Sequence, residues 1–136
     1  MKTILAFFLS FSTLANFSGK WSGDGVFETD RRDGECREVF LQLKQTEDFF
    51  YILDGGYICG DIQASYPPSQ FMILQGELFY QGHVVGKISQ NEIILTYLEG
   101  VYKLKLRIVG EEIHFNESWI EGDDFLLINS KMEALP

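Results

Sequence analysis

Residues 101–109 read VYKLKLRIV, the most regular alternation of apolar and basic side chains in the chain. The apolar set is Tyr102, Leu104, Leu106 and Ile108, and the basic set is Lys103, Lys105 and Arg107. A period of two residues is typical of a strand that buries one of its faces. The run therefore predicts a β-strand whose even-numbered side chains point into a core.

Similar runs continue on both sides of this strand. They cover residues 21–29, 36–45, 49–59, 71–80, 84–89, 93–99, 112–120 and 125–130, and no long run has the period of a helix. Nine short strands in one open sheet would leave two exposed edges, and closure into a barrel removes them. We therefore predict an all-β fold, an antiparallel up-and-down β-barrel of about eight to ten strands.

An immunoglobulin-like sandwich is the alternative all-β architecture. It requires crossover connections that are longer than hairpin turns. Only residues 30–35 and 60–70 offer connections of that kind. The connection lengths therefore favour the barrel.

The totals limit the class of protein and its partners. The chain has 136 residues, which suits a single domain, and 15% of them are aromatic, which suits a sheet. The formal net charge is −9, and an acidic surface repels phosphate backbones and anionic lipid head groups. Nucleic acid and anionic membranes are therefore not expected as partners.

Residues 1–15 have the features of a secretory signal peptide. Lys2 supplies a positive start, residues 4–14 form an apolar run too short to span a bilayer, and residues 13–15 place small side chains at the cleavage positions. A hydrophobic first strand is the alternative. We predict that cleavage leaves one barrel domain, residues 16–136, exported to the periplasm or the extracellular space without membrane insertion.

The two cysteines lie symmetrically about one predicted turn. Cys36 lies eleven residues before Glu47, and Cys59 lies eleven residues after Asp48. In a hairpin turning at residues 47 and 48 they face each other, or are one place off if Gly55-Gly56 is a bulge. In an oxidising compartment we expect a structural disulfide. A redox-active pair is the alternative, and no metal site or cofactor is expected.

The start of the mature chain resembles a known family. Gly19-Lys20-Trp21 resembles the Gly-x-Trp signature of the lipocalins and the wider calycin group. The resemblance implies an up-and-down barrel that binds hydrophobic small molecules. It also implies that Trp21 closes the narrow end of the barrel, packed against a basic side chain, for which Arg37 is the candidate.

With Gly23 and Gly25, the same opening is similar to that of nitrobindin-like haem barrels. That resemblance implies a proximal histidine in the late strands, where His114 is the one available. Because His114 alternates with Ile113 and Phe115, we expect it to point away from the apolar face.

The candidate ligand-binding residues are those predicted to face the barrel interior. They are Trp21, Phe27, Arg37, Leu41, Met72, Tyr102, Leu104, Phe115, Glu117 and Trp119. Glu117 is notable because it shares a face with Ile113 and Phe115, and a buried carboxylate is costly unless it is paired or protonated. Glu117 could bind the polar end of a ligand or act as an acid or base. The structural alternatives are that it pairs with Arg37 or that it lies near the rim of the barrel in contact with water.

Three functions fit these observations. The first is an exported protein that binds a small hydrophobic molecule inside the barrel. The second is a secreted module that binds or inhibits a protein partner, with residues 60–70 as the contact loop. The third is an enzyme, such as an isomerase or cyclase, that uses Glu117 as an acid or base. The sequence contains no recognisable catalytic arrangement, so it favours the first function.

Overall fold

The computed structural model describes residues 16–136, so the predicted signal peptide lies outside the described residues. Eleven strands and one 3-10 turn form this part of the chain. They are β1 (Gly19–Thr29), β2 (Asp33–Gln45), β3 (Phe49–Cys59), β4 (Ile62–Ser65), β5 (Ser69–Leu74), β6 (Glu77–Tyr80), β7 (His83–Ile88), β8 (Glu92–Tyr97), the 3-10 turn Leu98–Gly100, β9 (Tyr102–Val109), β10 (Glu112–Glu121) and β11 (Asp124–Ala134). No helix within this part has the length and hydropathy needed to cross a membrane.

Ten of the strands form a closed antiparallel barrel, which confirms the predicted fold class. Neighbours in sequence are neighbours in the sheet, and the ring closes where β1 pairs with β11 and β2 pairs with β3. Strand β4 is additional. It pairs with residues 56–59 of β3, whereas β5 pairs with residues 49–52 of the same strand.

The barrel has two unlike ends. At one end, which we call the closed end, Phe17 fills the interior beside Trp21 and Phe50, and all three are buried. The indole Nε1 of Trp21 donates to the carbonyl of Phe17 at 3.0 Å, and the backbone N–H of Phe17 donates to Gln45 Oε1 at 2.9 Å. At the opposite, open end lie the β1–β2, β3–β4, β6–β7, β8–β9 and β10–β11 connections.

The expectation that Arg37 faces the interior is wrong. Strand β2 has a bulge at this point, because Val39 pairs with Gly23 and Cys36 pairs with Gly25. Two consecutive side chains, Arg37 and Glu38, therefore point to solvent between inward neighbours. Arg37 does not reach Trp21, and the cation–π contacts within residues 16–136 join Arg32 to Phe27 and Lys44 to Tyr51.

The expectation that Met72 faces the interior is also wrong, since its side chain is exposed. Residues 71–80 are two strands, because Gln75 and Gly76 form a tight turn with φ of 53° and 79°. The inward side chains are Phe71 before that turn and Leu78 after it. If residues 71–80 formed one strand, Met72 and Leu78 would lie on the same face. The turn at residues 75 and 76 shifts the alternation by one residue, so Leu78 faces inward and Met72 faces outward.

The predicted disulfide between Cys36 and Cys59 is present. It ties β2 to β3 at the open end of their hairpin. The hairpin's register shifts once, because Gln42 pairs with Asp54 and Leu43 pairs with Ile52. The bulge therefore lies at Leu53, two residues before the predicted position at Gly55-Gly56, and the cysteines are still close enough to bond.

Candidate ligand cavity

An open cavity of about 490 Å³ lies in the open half of the barrel. That volume lies within the usual range for small-molecule sites. Its walls are mainly aromatic and aliphatic. The lining residues are Ile52, Tyr57, Ala64, Ser65, Tyr66, Pro67, Ser69, Phe71, Tyr80, Leu95, Tyr97, Leu98, Tyr102, Leu104, Glu117 and Trp119.

Glu117 is the one carboxylate among the residues that line this cavity. Strand β10 directs Ile113, Phe115 and Glu117 inward in turn, and Glu117 is only 1% exposed. Neither structural alternative applies, because Arg37 lies outside the barrel and the carboxylate is away from the solvent at the rim. The alternation of β10 is sufficient to explain this position.

Three tyrosine hydroxyls donate to the Glu117 carboxylate. Tyr57 of β3 donates to Oε1 at 2.6 Å, and Tyr102 of β9 donates to Oε2 at 2.5 Å. Tyr66, from the connection between β4 and β5, also donates to Oε2. Every buried side-chain N or O atom in residues 16–136 has a hydrogen-bond partner. In the cluster of Glu117, Tyr57, Tyr66 and Tyr102, which we call the Glu117 cluster, each buried side-chain oxygen therefore has at least one hydrogen-bond partner within an apolar interior.

Burial and the neighbouring Glu117 charge raise the pKa of Tyr57, Tyr66 and Tyr102 above the ordinary tyrosine range. Burial, with a smaller contribution from Tyr80, raises the pKa of Tyr97 to about 12. The phenols therefore stay protonated at neutral pH. The hydroxyls of Tyr57, Tyr66 and Tyr102 can therefore keep donating to the Glu117 carboxylate, which only accepts.

This arrangement predicts alkaline unfolding. A tyrosine whose pKa is raised in the folded state stabilises the fold by its full amount while the pH is below the ordinary pKa of 10.0. This stabilisation is lost as the pH rises from 10.0 through the raised pKa of the folded state. We expect tyrosinate absorbance from the buried tyrosines to appear together with loss of the near-UV circular dichroism signal. In the variant Tyr57→Phe/Tyr102→Phe that absorbance step should be smaller. A native near-UV signal in a protein whose tyrosines are all ionised would contradict the prediction.

The open end of the barrel is acidic. Its connections and the two strand ends beside the β10–β11 turn carry six carboxylates and two arginines, all of them exposed. The carboxylates are Asp30, Asp61, Glu99, Glu121, Asp123 and Asp124. Both arginines already have carboxylate partners, since Arg31 lies 3.8 Å from Asp30 and Arg32 lies 2.5 Å from Asp61. The entrance to the cavity therefore has a negative potential.

The predicted interior residues fall into three groups. Tyr102, Leu104, Glu117 and Trp119 line the cavity, and Trp119 is 40% exposed because it lies at the mouth, with its ring 4.7 Å from that of Tyr102. The buried residues that pack in the core without lining this cavity are Trp21, Phe27, Leu41 and Phe115. Arg37 and Met72 lie outside.

Two residues of the Glu117 cluster are missing from the site predicted by the sequence. Tyr57 and Cys59 lie two residues apart on β3 and both are buried, so they share the inward face. The period of two residues is the signal that could have found Tyr57. Tyr66 lies outside any strand, so no periodicity indicates where its ring points.

His114 lies on the outer wall, as its alternation predicts. Its Nε2 is 3.3 Å from Glu112 Oε1 on the same strand. It borders a shallow depression with Lys105, Arg107 and Lys131. In that position it does not face the cavity, so it is not placed to ligate a haem there.

No family model matches this chain, and no curated protein matches it. The function is therefore inferred from the geometry of the cavity.

Proposed function

We propose that this protein binds a small, mainly apolar molecule inside the barrel. The observation that carries the proposal is the cavity itself, about 490 Å³ in volume, with apolar and aromatic walls and one polar cluster. Binding sites for small molecules commonly combine an apolar lining with a few placed polar groups that orient the ligand. The lipocalin resemblance at Gly19-Lys20-Trp21 points to the same function.

Export belongs to the same proposal. The Cys36–Cys59 disulfide supports it, because disulfides persist in oxidising compartments and are uncommon in the cytosol. The signal-peptide features of residues 1–15 support it independently. We propose that the mature protein works in the periplasm or outside the cell.

The position of Tyr66 favours a cavity ligand over a protein partner. Residues 60–70 are the candidate contact loop for a partner protein. Residues 62–65 instead form β4, and the Tyr66 hydroxyl binds Glu117. Pro67 and Pro68 remain exposed, but the loop's largest side chain is part of the cavity wall.

An isomerase or cyclase is the second candidate function. The burial of Glu117 within the cavity favours it, since an exposed Glu117 would have removed its basis. Conversion of a bound molecule, detected by chromatography after incubation with the protein, distinguishes an enzyme from a carrier.

The binding proposal can be tested with the neutral probe N-phenyl-1-naphthylamine, which fluoresces strongly in apolar surroundings. We expect saturable binding that quenches the tryptophan fluorescence. Trp119 lines the cavity and Trp21 lies at the closed end. The variant Trp21→Phe should therefore keep most of the quenching, and Trp119→Phe should lose it.

Failure would also be clear. An absence of probe binding, together with no response to fatty alcohols or retinol, would contradict the proposed function. Quenching that survives in Trp119→Phe would place the ligand elsewhere on the protein.

A further inference from the structure

We propose that the cavity selects molecules carrying a protonated amine, whose ammonium group binds the Glu117 carboxylate while the apolar body contacts the aromatic walls. This inference rests on the proposed function, because it names the chemical class of the ligand in the same cavity.

The first argument is the charge of the cavity. Glu117 is buried, and the residues that line the cavity include no lysine, arginine or histidine. The ion pairs in residues 16–136 join Arg31 to Asp30, Arg32 to Asp61 and His114 to Glu112, none of which involves Glu117. A carboxylate removed from water is costly unless it is paired and hydrogen-bonded, and a cation adds a Coulombic attraction that the tyrosine hydroxyls do not supply. Residues 16–136 supply no such cation at this position.

The second argument is the number of acceptor sites on the carboxylate. An ionised carboxylate has about four lone-pair sites on its two oxygens. Oε2 accepts from Tyr66 and Tyr102, whereas Oε1 accepts from Tyr57 alone. One acceptor site on Oε1 therefore remains for an N–H donor from a ligand, and the tyrosine bonds hold the carboxylate in a fixed orientation to receive it.

The third argument is the aromatic surroundings. The rings of Tyr57 and Tyr66 lie 6.4 Å apart, and those of Tyr102 and Trp119 lie 4.7 Å apart, all within the cavity lining. Aromatic faces attract ammonium groups, most strongly where water is excluded. The same walls also suit an aromatic or aliphatic ligand body.

The fourth argument is the acidic entrance. Six exposed carboxylates, two of them bound to arginine, surround the open end. A negative rim raises the local concentration of cations and lowers that of anions. Fatty acids and other carboxylates are therefore disfavoured both at the mouth and beside Glu117.

A matched series of ligands tests the inference by isothermal titration calorimetry at neutral pH. The compounds are 4-phenylbutylamine, 4-phenylbutanol and 4-phenylbutyrate, which share an apolar body and differ in charge. We expect the amine to bind at least ~10-fold more tightly than the alcohol, and the carboxylate to bind most weakly. Equal binding of the amine and the alcohol would overturn the inference and leave the proposed function standing.

The variant Glu117→Gln removes the charge and keeps an acceptor for the tyrosines. We expect it to reduce affinity for 4-phenylbutylamine to near that of 4-phenylbutanol, while N-phenyl-1-naphthylamine still binds and shows that the cavity is intact. Glu112→Gln, on the outer face of the same strand, is the matched control and should leave amine binding unchanged.

Retention of the amine preference in Glu117→Gln would overturn the inference. If Glu117→Gln does not fold, the comparison of the three ligands on the wild-type protein decides the matter. If none of the three ligands and no neutral probe binds, the proposed function fails together with the inference.

Discussion

The variant Phe50→Ala is expected to lower the free energy of unfolding by about 3–5 kcal/mol. Phe50 is 0% exposed. Its ring lies 6.4 Å from that of Phe17 in an edge-to-face arrangement and 6.1 Å from that of Phe71 in a stacked one. Removal of the ring leaves a cavity in the closed end of the barrel, where a rigid sheet wall has little freedom to collapse onto the space. Urea unfolding followed by circular dichroism measures the loss.

Phe40→Ala is the matched control for this prediction. Phe40 lies on β2 and points outward with 37% of its surface exposed. The same deletion should cost about 1 kcal/mol there, because much of the ring already contacts water. Equal losses in the two variants would mean that the closed end is not the packed core that the structure shows.

The second large effect is expected for Gly23→Ala, which should destabilise the protein by about 3 kcal/mol or more. A Cβ at Gly23 would lie 2.3 Å from the carbonyl oxygen of Lys131 in β11. The obstructing atom belongs to the backbone, so no side-chain rotation relieves the contact. Strands β1 and β11 would have to separate at the point where they close the barrel.

Gly60→Ala is the control that separates steric overlap from backbone preference. Gly60 has a φ of +65°, and a methyl group added to its Cα would have open space for 4 Å around it. Alanine there should cost only the left-handed backbone conformation, about 1–2 kcal/mol. If Gly23→Ala is no more destabilising than Gly60→Ala in urea unfolding, the close approach of β1 and β11 is wrong.

Local patterns are sufficient for much of the barrel. The alternation in β9 and β10 correctly assigns Leu104 and Phe115 to the inside and His114 to the outside. The equal spacing of Cys36 and Cys59 from one turn correctly predicts their disulfide. Alternation and hairpin symmetry depend on residues close in sequence or paired through a short turn, so the sequence carries them directly.

The two errors come from a β-bulge and from a tight turn, both of which interrupt the alternation. Alternation assigns Arg37 inward because the bulge in β2 is defined only by its pairing with β1. It assigns Met72 inward because the turn at residues 75 and 76 divides one apolar run into two strands. Either change reverses the direction of the side chains that follow. The sequence shows no mark of the bulge in β2, whereas Gln75-Gly76 is the same dipeptide as the turn Gln81-Gly82 and is itself a turn signal.

The sequence by itself determined an antiparallel barrel, its disulfide and the inward direction of Glu117, because each follows from a period of two residues or from hairpin symmetry. Only the tertiary structure decided what surrounds that carboxylate. Tyr102 comes from β9, the hairpin partner of β10, but Tyr57 and Tyr66 come from β3 and a loop, and these two meet Glu117 because closure of the sheet brings distant segments around one cavity. Contacts across a barrel interior join residues far apart in sequence, and no local pattern records them.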